Sequence, residues 1–367
     1  MEEKGYLKSI NIKKKLIWTC IFGGISLNLL VMCQTIDGFG DWYNKYIYTF
    51  LVDTICRMIS WIPFSVYEII LYVFVLYILY CIIKNLCLLI QRKLKIKDIL
   101  IRAVSSLLLY ISIFTFLNMV TQGVNCFKSS FAVITNLERK EVDKENLKEL
   151  CIYLKDNLNE LDKKINKDNN GLFALKSDYK EIGRKNMYDL SNKYDCLKGF
   201  YPNPKGYIFS SLMSYQLLQG ESTFTIEANY NKDMPEHNIP STICHELSHI
   251  RGFNNEDEAN YISFLSCINS EDYNYQYSGY IMAYVYCMND LYYADKEAFT
   301  EISKDTCDGV KRELIQDDMF WKPYRGIVSS VYNFIYDKLL KMVGQKNGIN
   351  SYNGVVKLLI SGYKNQF

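Results

Sequence analysis

Residues 241–261 read STICHELSHIRGFNNEDEANY and hold two of the chain's three histidines, four positions apart, with a glutamate directly after the first. On an α-helix, positions i and i+4 lie on one face, so His245 and His249 can each aim a ring nitrogen at a single metal ion. Glu246 points about a hundred degrees round the axis, where it can touch a water on that ion but is badly placed to be a ligand itself. The chemistry this suits is hydrolysis. The metal lowers the pKa of its water toward ~7 and polarises a carbonyl, and the glutamate takes the proton as the water attacks. Zinc, one per chain, is the expected ion, because it accepts imidazole and carboxylate in a tetrahedral site with one position open.

A third protein ligand is sought downstream, where GFNNEDEANY offers Glu256, Asp257 and Glu258 just after a turn. Glu256 falls in the first turn of a second helix, from which its carboxylate can reach back toward the histidines; the competing reading is a solvent-facing acid favoured by the helix dipole. Asn255 and Glu258 have the Asn-x-x-Glu spacing of a capping box, which gives Glu258 a structural task and leaves it an alternative ligand. His237, in PEHNIP, reads as an exposed loop residue. Two other readings of the motif stay open: a helix carrying two hydrogen-bonded histidines, and a structural metal closed by a fourth ligand such as Asp257 or Glu258.

The motif helix has a start signal in Pro240, Ser241 and Thr242 and a stop in Gly252. Upstream, Leu147, Leu150, Cys151, Leu154, Leu158 and Leu161 recur at helical spacing within residues 138–165, and a shorter helix is expected over 178–193. STFTIEANY, residues 222–230, alternates and reads as a strand. Downstream the spacing predicts helices over 277–293, 296–315, 327–342 and 352–362, with VGQKNGIN as the turn between the last two.

The chain's long apolar runs lie before residue 122. Three are long enough to cross a roughly 30 Å hydrocarbon layer, over about 16–35, 64–90 and 102–121, with Glu68 and Lys84 near the ends of the second able to snorkel. The stretch DWYNKYIYTFLVDTICRMISWIP between the first two carries Asp53 and Arg57 and is expected to lie along the membrane surface. Lys13, Lys14 and Lys15, with QRKLKIK between the second and third runs, put the N-terminus and that loop on the cytoplasmic side and everything beyond about residue 122 outside. A cleavable signal peptide is disfavoured, since no small-x-small site follows the first run. Two regions result: a membrane region, 1–122, and an extracytoplasmic domain, 123–367.

The formal net charge of +2 and the absence of a basic stripe with interleaved aromatics leave nothing that points to nucleic acid. Twelve cysteines include no CxxC pair, which argues against a thiolate zinc site. The motif helix is too short and polar to sit at bilayer depth, which argues against an intramembrane protease.

H-E-x-x-H followed by E-x-x-A-N at Glu256 to Asn260 is similar to the gluzincin metallopeptidases, whose membrane-bound families carry E-x-x-A-D in the second helix. The resemblance implies His245, His249 and Glu256 as ligands and Glu246 as base. Asn260 replaces the aspartate of those families, and the gap between the two helices is shorter. Asparagine at 255 departs from the histidine or aspartate of metzincins. PNPKGYIFSSLMS, FTIEANYN, HELSHIRGFNNEDEANYISFLSC and GINSYNGVVKLLI resemble the recurring blocks of a bacterial membrane-protein family known as domain of unknown function 3810. The implied architecture is mainly α: three N-terminal transmembrane helices, then a mostly helical zincin-like domain with a small β-sheet. In such a layout an edge strand beside the cleft pairs with an extended peptide, which makes Glu227 a candidate cleft residue. Tyr352 and Arg325, in the turn-rich ends of the later helices, are candidate donors to an oxyanion. The expected function is a membrane-anchored zinc peptidase acting on a peptide or protein, with the lipid bilayer as its other partner; the alternative is a signalling or scaffold protein with a structural metal.

Overall fold

A computed structural model of the chain describes residues 2–138, 142–342 and 354–364. It is mainly helical, with one small sheet and three apolar helices of membrane-crossing length. The first, α1 (Glu2–Thr35), packs along the third, α3 (Ile96–Asn118), where the rings of Phe22 and Phe116 lie 5.2 Å apart. The second, α2 (Val66–Ile90), meets α3 through Phe74 and Tyr77, which both pack edge-on against Tyr110. Leu76, Ile83, Leu107 and Ile111 lie more than half exposed on these helices, the expected pattern for faces that meet lipid rather than protein.

Between α1 and α2 the chain forms a broken helical run, Phe39 to Ser60, whose two faces differ. Phe39, Tyr43, Tyr48, Val52 and Cys56 are buried in the same core as the motif helix, while Trp42, Tyr46, Phe50 and Met58 face outward. A run expected along the membrane surface is therefore also a wall of the domain above it.

That domain continues with α4 (Lys144–Leu161), whose leucine stripe is buried as its spacing predicts, and α5 (Tyr179–Lys193). A three-stranded sheet follows, β1 (Lys205–Gly206), β2 (Gly220–Ser222) and β3 (Ala228–Tyr230), in the order β1-β3-β2, with β3 parallel to β1 and antiparallel to β2. The strand expected over 222–230 is thus broken. Ile226 takes a positive φ of 57°, residues 223–227 turn, and the edge strand is β2 rather than the alternating segment. The turn has a purpose that alternation cannot reveal. It drives the ring of Phe224 between Tyr67 of α2 and Phe114 of α3 and brings the Glu227 carboxylate to the start of α2.

The rest is helical: α6 (Ile239–Ile250), α7 (Glu256–Ile268), α8 (Tyr273–Ala294), α9 (Lys296–Asp305), α10 (Asp308–Trp321), α11 (Ile327–Met342) and α12 (Gly354–Lys364). The helix expected over 296–315 is two, because the Asn159 side chain takes over backbone groups at the break, accepting from Cys307 N at 2.8 Å and donating to Asp305 O at 3.1 Å. α6, α7 and α8 pack on one another at the centre, with α4 and α5 outside them and α12 against α7. VGQKNGIN and Tyr352 lie outside the described residues.

The apolar helices and the rest of the chain are joined by buried charge. Glu227 accepts from the backbone N–H of Val66 at 3.0 Å and of Tyr67 at 2.9 Å, and pairs with Lys205 at 2.6 Å. Glu68, expected to snorkel, is instead buried and accepts from the N–H groups of Ile208 and Phe209 at 2.8 and 2.9 Å. Orphan amides at a helix start favour a carboxylate, and the pairing with Lys205 offsets the cost of burying Glu227.

Candidate metal centre

The motif histidines ride on α6, whose apolar residues Ile243, Leu247 and Ile250 are fully buried and fix its rotation. The helix ends at Gly252, where φ is +78° and the N–H bonds back to His249 O at 2.8 Å. A Cβ there would run into the Asn44 side chain, so the tight turn that brings α7 back against α6 requires glycine.

The reversal brings Glu256 to the histidines. His245 Nε2 and His249 Nε2 are 3.0 Å apart, and Glu256 Oε2 lies 3.1 Å from the first and 3.8 Å from the second. Ligand atoms about 2.1 Å from a tetrahedral zinc stand about 3.3 Å from one another, so these three atoms have the spacing of one metal's ligands. His245, Glu246 and His249 also form a group whose ligand atoms lie within 4.8 Å of one another. Of the two glutamates, Glu256 places an oxygen 3.1 and 3.8 Å from the two Nε2 atoms, the position a third ligand would take. Glu246 keeps a buried oxygen, Oε2, with no hydrogen-bond partner among the described residues. An acceptor of that kind beside two imidazoles fits a base facing a water better than a finished structural contact.

Both rings are oriented from behind. His249 Nδ1 lies 2.8 Å from Phe253 O and His245 Nδ1 lies 2.9 Å from Asn260 Oδ1, while the Asn260 amide donates to the Tyr286 hydroxyl at 3.3 Å. A carbonyl oxygen only accepts, so each Nδ1 carries a proton, and both Nε2 atoms are turned toward the same point. The departure from aspartate at Asn260 therefore preserves the supporting contact and removes one negative charge behind it. Asn260→Ala is expected to weaken zinc affinity roughly 10- to 100-fold and Asn260→Asp to restore it, measured by competition with a zinc indicator. Unchanged affinity in the alanine variant would remove this residue from the centre.

The electrostatics agree with a metal-ready cluster. Burial pushes the Glu256 carboxyl up, but the hydrogen bond from His245, the imidazole charges and the Tyr336 hydroxyl at 3.1 Å outweigh it and bring it down to about 2. His249 is lowered to about 4 by burial and by the neighbouring His245. For His245, burial opposes charge, yet the contact with Glu256 raises its pKa. Glu246 is raised to about 8, chiefly by burial, with His245 opposing and Glu256 adding to the rise. Two carboxyls a few ångströms apart are thus driven in opposite directions, one held as an anion and one inclined to take a proton.

Other expectations fare differently. Glu258 is not half of a capping box: the Asn255 side chain makes no cap bond, and Glu258 accepts from Ala132 N at 3.3 Å. Asp257 faces Gly354 at the start of α12. Glu227 is committed to the start of α2, and Arg325 is exposed and paired with Asp318 at 2.7 Å. His237 is buried, not exposed, and meets Glu313 of α10 at 2.9 Å.

Three contributions escaped the sequence reading. Gly220 of β2 lies so close to Glu246 that a Cβ would collide with Oε1, and Ser222 Oγ donates to Glu246 O at 3.3 Å. From α11, Tyr336 reaches Glu256 and stacks on Tyr332, whose own hydroxyl has no hydrogen bond among the described residues. In a chain with 31 tyrosines, one that lies 80 positions from its partner leaves no sequence signal.

A family model described as protein of unknown function (DUF3810) matches residues 43–360. The match opens in the broken helical run, takes in α2, α3 and the histidine cluster, and ends in α12. No curated protein and no solved structure matches the chain.

Proposed function

We propose, for a chain that belongs to the DUF3810 family of proteins of unknown function, that it is a membrane-anchored zinc peptidase. The observation that carries this reading is the convergence of His245 Nε2, His249 Nε2 and Glu256 Oε2 beside the orphaned Glu246 Oε2. A zinc ion held by those three residues supplies Lewis acidity to a water and to the substrate carbonyl. The zincin layout and gluzincin-like ligand set belong to the same reading.

Glu246 accepts a proton on Oε2 as the water oxygen bonds to the carbonyl carbon, and returns it to the leaving nitrogen as the C–N bond breaks. Its burial favours the protonated state between those two transfers. The Tyr332 hydroxyl is the oxyanion donor in this reading, since its ring stacks at 5.7 Å on Tyr336, which donates to Glu256. β2, an edge of the sheet, has a free side along which an extended substrate can add as a strand. The structural-metal reading would need a fourth ligand such as Asp257 or Glu258, and the contact of Glu258 with Ala132 N at 3.3 Å favours the open site of the peptidase reading.

The three apolar helices alternate in direction, and their near ends, α1 at Thr35, α2 at Val66 and α3 at Asn118, all meet the domain. The lysine-rich far ends support a domain outside the cytoplasmic membrane in this reading. The test is digestion of a random-sequence peptide library by the full-length protein in vesicles. Cleavage that is lost with a zinc chelator and regained with zinc is expected; a zinc-saturated protein that cleaves nothing contradicts the proposal.

A further inference from the structure

The cluster lies at the membrane end of its domain. Asn254, in the turn between α6 and α7, donates to Gln122 O at 2.8 Å and Gln122 Oε1 at 2.9 Å, and Gln122 belongs to the third apolar span, Ile96–Phe127. Ser222 touches the backbone of Glu246, and two residues later the Phe224 ring is wedged between Tyr67 and Phe114 of the apolar helices. Two residues of extended chain span about 7 Å. The motif helix is therefore linked, through Ser222 and the two residues that follow it, to side chains on helices long enough to cross a bilayer.

The surroundings at that level are apolar and uncovered. Phe209 packs edge-on against Tyr72 of α2 at 5.6 Å and is 60% exposed, and Leu212 beside it is 50% exposed. Tyr215, just after the short helix Ser211–Ser214 that contains Leu212, packs on Tyr324 at 5.1 Å, which leads into α11. α11 is two-sided. Tyr332 and Tyr336 face the cluster, while Ile327, Val331 and Phe334 are between 53% and 84% exposed on the opposite side. Apolar patches of this size are uncommon on a surface that meets water, and a helix with such a face beside a membrane anchor has the form of an interfacial helix. The patch is continuous with the lipid-facing side of α2 through Phe209 and Tyr72, which identifies the occupant as the bilayer.

We propose that the face made by Phe209, Leu212 and the outward side of α11 sits in the outer interface of the bilayer, and that the site beneath it takes the extended segment of a membrane-tethered polypeptide next to its anchor. This rests on the peptidase reading. A substrate lying along β2 passes at the height of Phe224, so its scissile segment must run close to the membrane surface. α11 then has two tasks: it holds Glu256 and roofs the cleft from one side, and it floats on lipid with the other.

Two measurements on the full-length protein in phosphatidylethanolamine/phosphatidylglycerol vesicles test this. The first is photolabelling from a phospholipid with a diazirine in its acyl chain, mapped by mass spectrometry. Adducts on residues 208–215 and 327–338 as well as on the three apolar helices are expected; labelling confined to those helices, or α11 cross-linked to a second copy instead, overturns the bilayer contact. The second compares one random-sequence peptide library carrying a palmitoyl anchor with the same library free in solution. Tethered peptides should be cleaved roughly tenfold faster, since the anchor raises their effective concentration at the site. Val331→Asp with Phe334→Asp should abolish that preference and leave the rate on free peptides unchanged. Equal rates for the two libraries in the wild type overturn the substrate class while leaving the peptidase reading standing. If zinc-loaded protein cleaves neither, both the peptidase reading and the substrate class fall, and the lipid labelling scores the membrane contact by itself.

Discussion

Glu246→Gln should lower peptide hydrolysis about 10³-fold and leave bound zinc unchanged, because the amide keeps the shape of the carboxylate and cannot accept the water's proton. The side chain stands beside both imidazoles, yet Glu256 makes the short contacts to their Nε2 atoms, so the substitution removes a proton carrier and spares the ligands. Its buried Oε2 has no partner to lose. The amide puts a donor or an acceptor where a lone carboxylate oxygen stood, and the fold survives. Turnover and metal content read on one preparation separate the roles: loss of zinc in this variant makes Glu246 a ligand, and full activity removes it from the mechanism.

Gly220→Ala should lower turnover about 10²-fold with zinc retained. The added Cβ meets the carboxylate of Glu246 from the edge strand, and the flexible side chain is what gives way. A displacement of about 1 Å in a catalytic group is enough for a loss of that size. A purely structural role for the glycine would lower thermal stability and leave kcat per folded molecule intact. A fall in kcat at unchanged melting temperature is the expected pattern, and wild-type kcat would show that β2 does not set the position of Glu246.

The helices were legible because each carries a periodic signal strong enough to survive without its neighbours. The three apolar runs, the leucine stripe of α4 and the i, i+4 histidines all depend on local spacing. Glu256 was legible for the same reason, since one tight turn determines where it lands. What lay beyond reach depends on partners far along the chain. Glu227 looked like a cleft residue because its segment was expected to be the edge strand of a zincin cleft, but the buried start of α2, about 160 residues earlier, claims its carboxylate. His237 looked exposed because its hydrogen-bond partner, Glu313, sits 76 positions away on α10. The roof over the site comes from α11, whose outward apolar face would have suggested a core helix and whose inward tyrosines resemble those of every neighbouring helix.

Asn260 shows how a departure from a familiar pattern can be read once contacts are known. Its carbonyl does for His245 what an aspartate would do, at 2.9 Å, and leaves less negative charge behind the ring. The broken run Phe39 to Ser60 makes a complementary point: Tyr48 donates from it to His249 O at 3.3 Å, so the membrane region supports the centre directly. Severing the chain near residue 122 would remove part of the wall that holds α6.

The central claim is that His245, His249 and Glu256 hold one ion. Elemental analysis of the purified full-length protein after zinc is supplied and excess removed, with His249→Ala alongside, tests it most directly. About one zinc per chain in the wild type and almost none in the variant is the predicted result. A folded wild-type protein that retains no zinc would contradict the account and reduce the cluster to two imidazoles and a carboxylate hydrogen-bonded inside a helical core.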